Sequence, residues 1–203
     1  IKLLCRLYDP TEGEILLNGI DIRKYNYEEY LELFSVVFQD FRLFSFSLGQ
    51  NVAAAVDIDR ERAASSLGQI GFGDRLKEMA RGLDTPLYRD FDKDGVEISG
   101  GEAQKIALAR ALYKDAPFII LDEPTAALDP IAEYEIYSGF EKLVGGKSAV
   151  YISHRLSSCR FCDEIIVFDH GLIIQRGSHD DLVADEKGKY AELWRAQAQY
   201  YEK

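Results

Sequence analysis

The sequence predicts an α/β fold in which a parallel sheet is covered by helices on both faces and interrupted by a helical segment. Three observations carry this expectation. Short, unbroken apolar runs at residues 34–38, 118–121, 149–152 and 165–168 alternate with helix-forming stretches, as strands buried on both faces of a parallel sheet do. Between residues 46 and 113 the pattern changes to helical periodicity. The 203 residues are 47% hydrophobic, enough for one good core in a single domain.

Each element follows from local signals. Residues 1–8 read as the tail of a helix stopped by Asp9-Pro10. Residues 14–18 read as a short strand turned by Asn18-Gly19, with Ile20 and Ile22 continuing extended. Asn26 is placed to cap a helix over 27–33. The strand at 34–38 ends at Gln39. Helices at 57–70 and 74–79 are separated by Gly71 and Gly73, and a third covers 103–113. After the strand at 118–121 come a helix at 131–144, strands at 149–152 and 165–168, and helices at 181–184 and 189–200. No repeat, low-complexity stretch or linker divides the chain, so residues 1–203 read as one domain with 46–113 inserted as a helical subdomain.

Composition excludes several classes. With 29% charged residues and a formal net charge of −11, the chain repels phosphate backbones, which argues against sequence-independent nucleic-acid binding. No run approaches the length of a membrane-spanning helix, and the first residues carry no small-residue cleavage site. The cysteines are Cys5, Cys159 and Cys162, a small odd set that suits a reducing setting. Cys159 and Cys162 form a C-x-x-C pair with His154 nearby in sequence, but further ligands are lacking, so they read as incidental thiols.

The chemistry gathers at strand ends, where ligands of parallel sheets bind. One strand ends at Gln39, one at Asp122-Glu123 and one at Ser153-His154. Magnesium takes oxygen ligands and keeps several waters, so one carboxylate suffices to hold it, and a second beside it can polarise an attacking water. Ser99-Gly100-Gly101-Glu102 opens the helix at 103–113. Two glycines leave backbone N–H groups bare at a helix start that favours anions, although Ser followed three residues later by Glu is also a plain capping box. A glutamine amide at a strand end can hold a water or a cation, or simply face solvent. A lone histidine after a strand, as His154 is, is usually structural. His170 and His179 have no such context and read as surface residues.

The order and spacing of Val36-Val37-Phe38-Gln39-Asp40, Ile98-Ser99-Gly100-Gly101-Glu102, Phe118 to Pro124, Ala127-Leu128-Asp129 and Ser153-His154-Arg155-Leu156 resemble the ATP-binding cassette of ABC transporters. The likeness covers nearly the whole chain and implies a P-loop NTPase-like (RecA-like) fold with a helical signature subdomain. It implies ATP and Mg²⁺ as ligands. Glu123 becomes the catalytic base, Asp122 the Mg-linked residue and Gln39 the Q-loop residue near Mg²⁺ and the attacking water. His154 becomes the switch residue at the γ-phosphate. Ser99, Gly100, Gly101 and Glu102 would meet the ATP of the opposite subunit, and Asp129 would sit in the D-loop at the dimer interface. The family's usual residue at this place is Gln, and this chain has Glu102. The added charge competes with the γ-phosphate, so Glu102→Gln is expected to tighten the ATP-bound dimer. The aromatic-rich segment after Gln39, as far as Phe46, is expected to receive a coupling helix of the membrane domain.

One motif is absent. No G-x-x-x-x-G-K-[ST] loop occurs. Gly145-Gly146-Lys147-Ser148 looks like its end, but position 141 is Glu and a strand follows rather than precedes it. Residues 1–10 resemble the helix that follows the family's phosphate loop. The chain therefore reads as a cassette that begins just past that loop, lacks its strand and is inactive alone, with turnover belonging to the parent protein. The segments 88–97, 171–182 and 190–199 resemble exporters. The expected setting is the cytoplasmic face of a membrane, with a second cassette as homo- or heterodimer partner. A soluble non-transport ABC ATPase and a non-catalytic regulatory cassette are the alternatives.

Overall fold

The computed structural model describes residues 1–125 and 144–201. The expected helix at 131–144 lies almost wholly outside the described residues, as do Ala127, Leu128, Asp129 and Pro130. The chain divides into two compact units, Ile1–Ile152 and Ser153–Lys203.

The first unit is built on a parallel three-stranded sheet. Its strands are β3 (Phe34–Val37), β4 (Phe118–Asp122) and β5 (Ser148–Ile152), in the order β3-β4-β5. Side chains alternate between sheet faces with period two, and both faces of β4 find a core. Ile119 and Leu121 join Val37 in one cluster with the helices, while Ile120 joins Phe34, Tyr30, Ile22 and Cys5 in another. This two-sided burial is why β4 reads as a continuous apolar run, whereas β5 is largely exposed despite its apolar run.

The larger cluster is the helical segment. It contains α2 (Leu48–Ala53), α3 (Arg60–Gln69), α4 (Gly73–Glu78) and α5 (Gly100–Lys114). Leu48, Val52, Leu67 and Ile106 are fully buried at its centre, each worth about 1.5–3 kcal/mol relative to exposure. Asp59 caps α3. Helix α5 ends in a left-handed Asp115 at φ 59°, and the Asp115 carboxylate holds the Lys147 ammonium. Gly95 is irreplaceable in the loop before α5, because a Cβ there would lie 1.7 Å from the Tyr88 carbonyl oxygen.

Three local expectations change. Residues 1–8 form turns rather than a helix. Arg6 sits at φ 51°, and the Leu4 carbonyl is taken by the Tyr30 hydroxyl at 2.6 Å. The early strand shrinks to β1 (Leu16–Leu17), paired with β2 (Ile20–Asp21) across the Asn18-Gly19 turn. Both turn residues have positive φ, 52° and 77°, as a type I′ hairpin demands. Ile22 is not extended, because Asp21 caps a 3-10 turn over Ile22–Lys24. The short α1 (Tyr27–Glu32) starts at Asn26, whose side chain accepts from the Glu28 and Glu29 amides as expected.

In the second unit, β6 (Ile165–Asp169) does not extend the parallel sheet. It pairs antiparallel with β7 (Leu172–Gly177), a strand the sequence did not announce. His170 and Gly171 make the tight turn with φ 47° and 80°. Helices α6 (His179–Ala184) and α7 (Lys189–Tyr201) follow. Leu156, Ile165, Leu182 and Tyr190 form the core. His179, read as a surface residue, instead packs edge-on against Trp194 and lies 2.9 Å from the Tyr190 hydroxyl. Cys159 and Cys162 pack against the same core; burial pushes the Cys159 thiol up to about 11 and raises Cys162 too. No described helix is long and apolar enough to cross a membrane.

Candidate functional site

The parallel register dictates the first half of the site. Val37 pairs with Leu121, so the residues two positions beyond each, Gln39 and Glu123, leave the sheet side by side. Gln39 Nε2 donates to Glu123 Oε2 at 3.0 Å. Asp122 is half-buried as the last residue of β4, opposite Ile152. The backbone at Glu123 turns sharply, with φ 49°, a conformation that costs a non-glycine residue of order 1–3 kcal/mol and needs support from its surroundings. Two hydrogen bonds supply that support. The Glu123 amide donates to the Ile152 carbonyl at 3.0 Å, and Gln104 Nε2 donates to the Glu123 carbonyl at 3.0 Å.

Gln104 is a residue that sequence reasoning missed. It is buried on α5 and ties that helix to the end of β4. The available signal was a long amide on the helix face otherwise filled by Ala107, Leu108 and Ala111.

The second half is the start of α5. Ser99 is the N-cap, and the capping box closes in both directions: Glu102 N–H donates to Ser99 Oγ at 3.3 Å and Ser99 N–H donates to Glu102 Oε2 at 2.9 Å. Gly100 is exposed and Gly101 half-buried. Glu102 Oε1 accepts from Arg75 Nε at 2.8 Å, a partner on α4 that nothing in the sequence pattern pointed to. Burial would raise the Glu102 carboxyl, but the bonds from Ser99 and Arg75 together hold it below the usual carboxylate range.

His154 belongs to the second unit, two residues past the end of β5. Its carbonyl accepts from Gln197 Nε2 at 2.6 Å, and Arg155 N–H donates to Ser153 Oγ at 2.9 Å, so α7 and a local turn fix the backbone around it. Asp129 lies outside the described residues. The structure thus brings Gln39, Asp122 and Glu123 together, with α5 joined to them through Gln104.

Two flanking features are also resolved. Phe44 and Phe46 are 58% and 56% exposed, held out by Asn51, whose buried amide accepts from the Phe44 N–H at 2.9 Å and donates to the Phe44 carbonyl at 2.9 Å. Gly145-Gly146-Lys147 is a turn into β5, and its lysine is occupied by Asp115.

The donor chemistry suits Mg²⁺. Carboxylate and amide oxygens are the hard ligands that Mg²⁺ accepts in small number beside water and phosphate. Asp122 and Gln39 carry such oxygens, and the contact with Glu123 occupies the nitrogen end of the Gln39 amide.

Comparison with known proteins completes the description. Residues 1–126 match the family described as ABC transporter. The chain is 39% identical over 199 residues to an ATP-dependent lipid A-core flippase of Burkholderia orbicola, covering 98% of the chain and 33% of that protein. It is 40% identical over 201 residues to the corresponding flippase of Vibrio parahaemolyticus, covering 97% and 33%. Among solved structures, a bacterial Atm1-family ABC exporter with ATP bound superposes with a TM-score of 0.88 at 35% identity, covering 97% of this chain and 34% of that one. The chain spans about a third of the length of these relatives.

Proposed function

The chain belongs to the ABC transporter family, and from that premise we propose that it is the ATP-hydrolysing cassette of an exporter, working at the cytoplasmic face of a membrane. The supporting observation is the Gln39–Glu123 hydrogen bond at the ends of adjacent parallel strands. In this reading Glu123 accepts the proton of the attacking water, and Gln39 holds that carboxylate in place. Asp122 and the Gln39 amide oxygen hold Mg²⁺, which when bound offsets the charge of the phosphates. His154 meets the γ-phosphate end of the nucleotide.

The start of α5 receives the nucleotide of a second cassette, through the Gly100 and Gly101 amides and the Ser99 hydroxyl. Asp129 serves that same interface. The described and flanking segments together act as one cassette domain, with residues 46–113 as its helical part. Phe44 and Phe46, set outward by Asn51, meet a coupling helix of the membrane domain. The 203-residue sequence contains no G-x-x-x-x-G-K-[ST] loop, so turnover is assigned to the full-length protein and not to this chain alone. Curated relatives named as lipid A-core flippases support the exporter assignment over a soluble repair or ribosomal ATPase.

The test is Glu123→Gln in the full-length protein. Removing a general base costs roughly 10²- to 10⁴-fold, so steady-state hydrolysis should fall by at least the lower figure while ATP binding persists. Near-normal turnover would remove Glu123 from the role.

A further inference from the structure

The carboxylate of Glu102 raises a physical difficulty that the structure also resolves. A carboxylate in the first turn of α5 stabilises the helix end but opposes a phosphate arriving there. In this molecule both Glu102 oxygens are occupied: Oε2 takes the Ser99 N–H at 2.9 Å and Oε1 takes Arg75 Nε at 2.8 Å. Arg75 is anchored on the other side by Glu78, 3.4 Å from its Nη1, so the guanidinium bridges a carboxylate of α4 and one of α5. The Glu102 side chain is 25% exposed and that of Arg75 37%. The pair is therefore neither deeply buried nor fully solvated, and its Glu102 lies in the helix turn that carries the exposed Gly100.

We propose that Arg75 is a positioning residue for nucleotide engagement: by holding Glu102 folded back on its own cap and offsetting its charge, it keeps the start of α5 open to the phosphate of the partner cassette's ATP. This rests on the reading that α5 receives that nucleotide. Arg75 touches neither substrate nor metal. It acts through Glu102, and a chain with Gln at position 102 would have no need of it. The arrangement also accounts for how this sequence can place a Glu in that turn without losing an anion site.

The test compares the full-length protein with Arg75→Ala, Arg75→Lys, Glu102→Gln and the Arg75→Ala/Glu102→Gln double variant, reading KM for ATP and kcat at low and high salt. Arg75→Ala should raise KM about fivefold, the scale of a good exposed ion pair, with kcat unchanged. The increase should shrink at high salt, as repulsion between exposed charges does. Arg75→Lys should retain most of the wild-type KM, and the double variant should return to the value of Glu102→Gln alone. An equal KM increase with Gln at 102, or one indifferent to salt, would show that Arg75 only braces α4 and would overturn the proposal. An unchanged KM in Arg75→Ala would overturn it as well. Should Arg75→Ala fail to accumulate, Arg75→Gln against Arg75→Lys carries the same comparison. Failure of the underlying reading looks different, because Gly101→Glu would then leave ATP-driven dimerisation intact.

Discussion

Helices α2 and α5 begin with the same local chemistry and differ in what surrounds it. Each opens on a serine N-cap whose partner three residues on, Gln50 or Glu102, closes a capping box. At α2 the start is covered. Leu48 is fully buried and its N–H donates to the Thr85 carbonyl at 2.9 Å. Gly49 is there for packing, since a Cβ would meet Ile58 Cδ1 at 3.0 Å and the Leu83 carbonyl at 3.2 Å. At α5 the corresponding positions are Gly100, exposed, and Gly101, half-buried. A capping box by itself therefore says only that a helix starts. What distinguishes α5 is the open backbone at its start and the Gln104 bond that ties it to the Glu123 carbonyl.

The largest effect expected from this contrast comes from placing charge at the open end. Gly101→Glu in the full-length protein should abolish ATP-driven dimerisation, since a like charge about 4 Å from a phosphate costs roughly 4 kcal/mol at an effective dielectric of 20. The melting temperature should change little. Gly49→Ala should do the reverse, costing about 1–3 kcal/mol of stability through overpacking while folded protein still dimerises with ATP. Thermal melting and nucleotide-dependent size measurement on both variants separate the two roles. A Gly101→Glu protein that dimerises normally would erase the distinction.

A smaller effect tests the tie between α5 and the carboxylates. Gln104→Leu keeps the volume but removes the 3.0 Å donor to the Glu123 carbonyl, a loss of about 0.5–1.5 kcal/mol for one hydrogen bond removed. Because Gln104 also steadies the strained turn at Glu123, kcat should fall more than KM changes. An unaltered kcat would confine Gln104 to stability.

The smallest is a control remote from the site. Side-chain and backbone hydrogen bonds with Arg23 lower the Asp21 carboxyl from 3.8 to about 2. A depressed acid contributes stability that is present above its ordinary range and lost as pH falls from 3.8 toward about 2. Asp21→Asn should flatten that part of the acid-melting profile and leave the neutral-pH activity alone. A profile identical to that of the unmodified protein would show that the Asp21 cap contributes nothing in acid.

Much of this was legible from residues alone, for a physical reason. Strands buried on both faces announce themselves by unbroken apolar runs, so 34–38 and 118–121 were visible with near-correct ends. Asn26, Ser99 and the Asn18-Gly19 turn act through backbone geometry within three residues, which a sequence displays directly. Arg75, Gln104, Asn51 and Gln197 were not legible. Each works through a partner between 7 and 43 positions away, and only the packing of helices and loops creates those distances. The β6–β7 hairpin was missed because an apolar run does not state the direction of its neighbour. His179 was misread because a lone histidine carries no sign of the Tyr190 and Trp194 side chains that enclose it.

The central claim is that the Glu123 rim of one cassette and the α5 start of another enclose the same nucleotide. The most direct measurement uses dimers assembled from two distinguishable full-length subunits carrying Glu123→Gln and Gly101→Glu. With the two changes on opposite subunits, both fall in one site and the other stays whole, so ATP hydrolysis should persist. With both on the same subunit, each site loses one half and hydrolysis should disappear. Equal activity in the two arrangements would contradict the account.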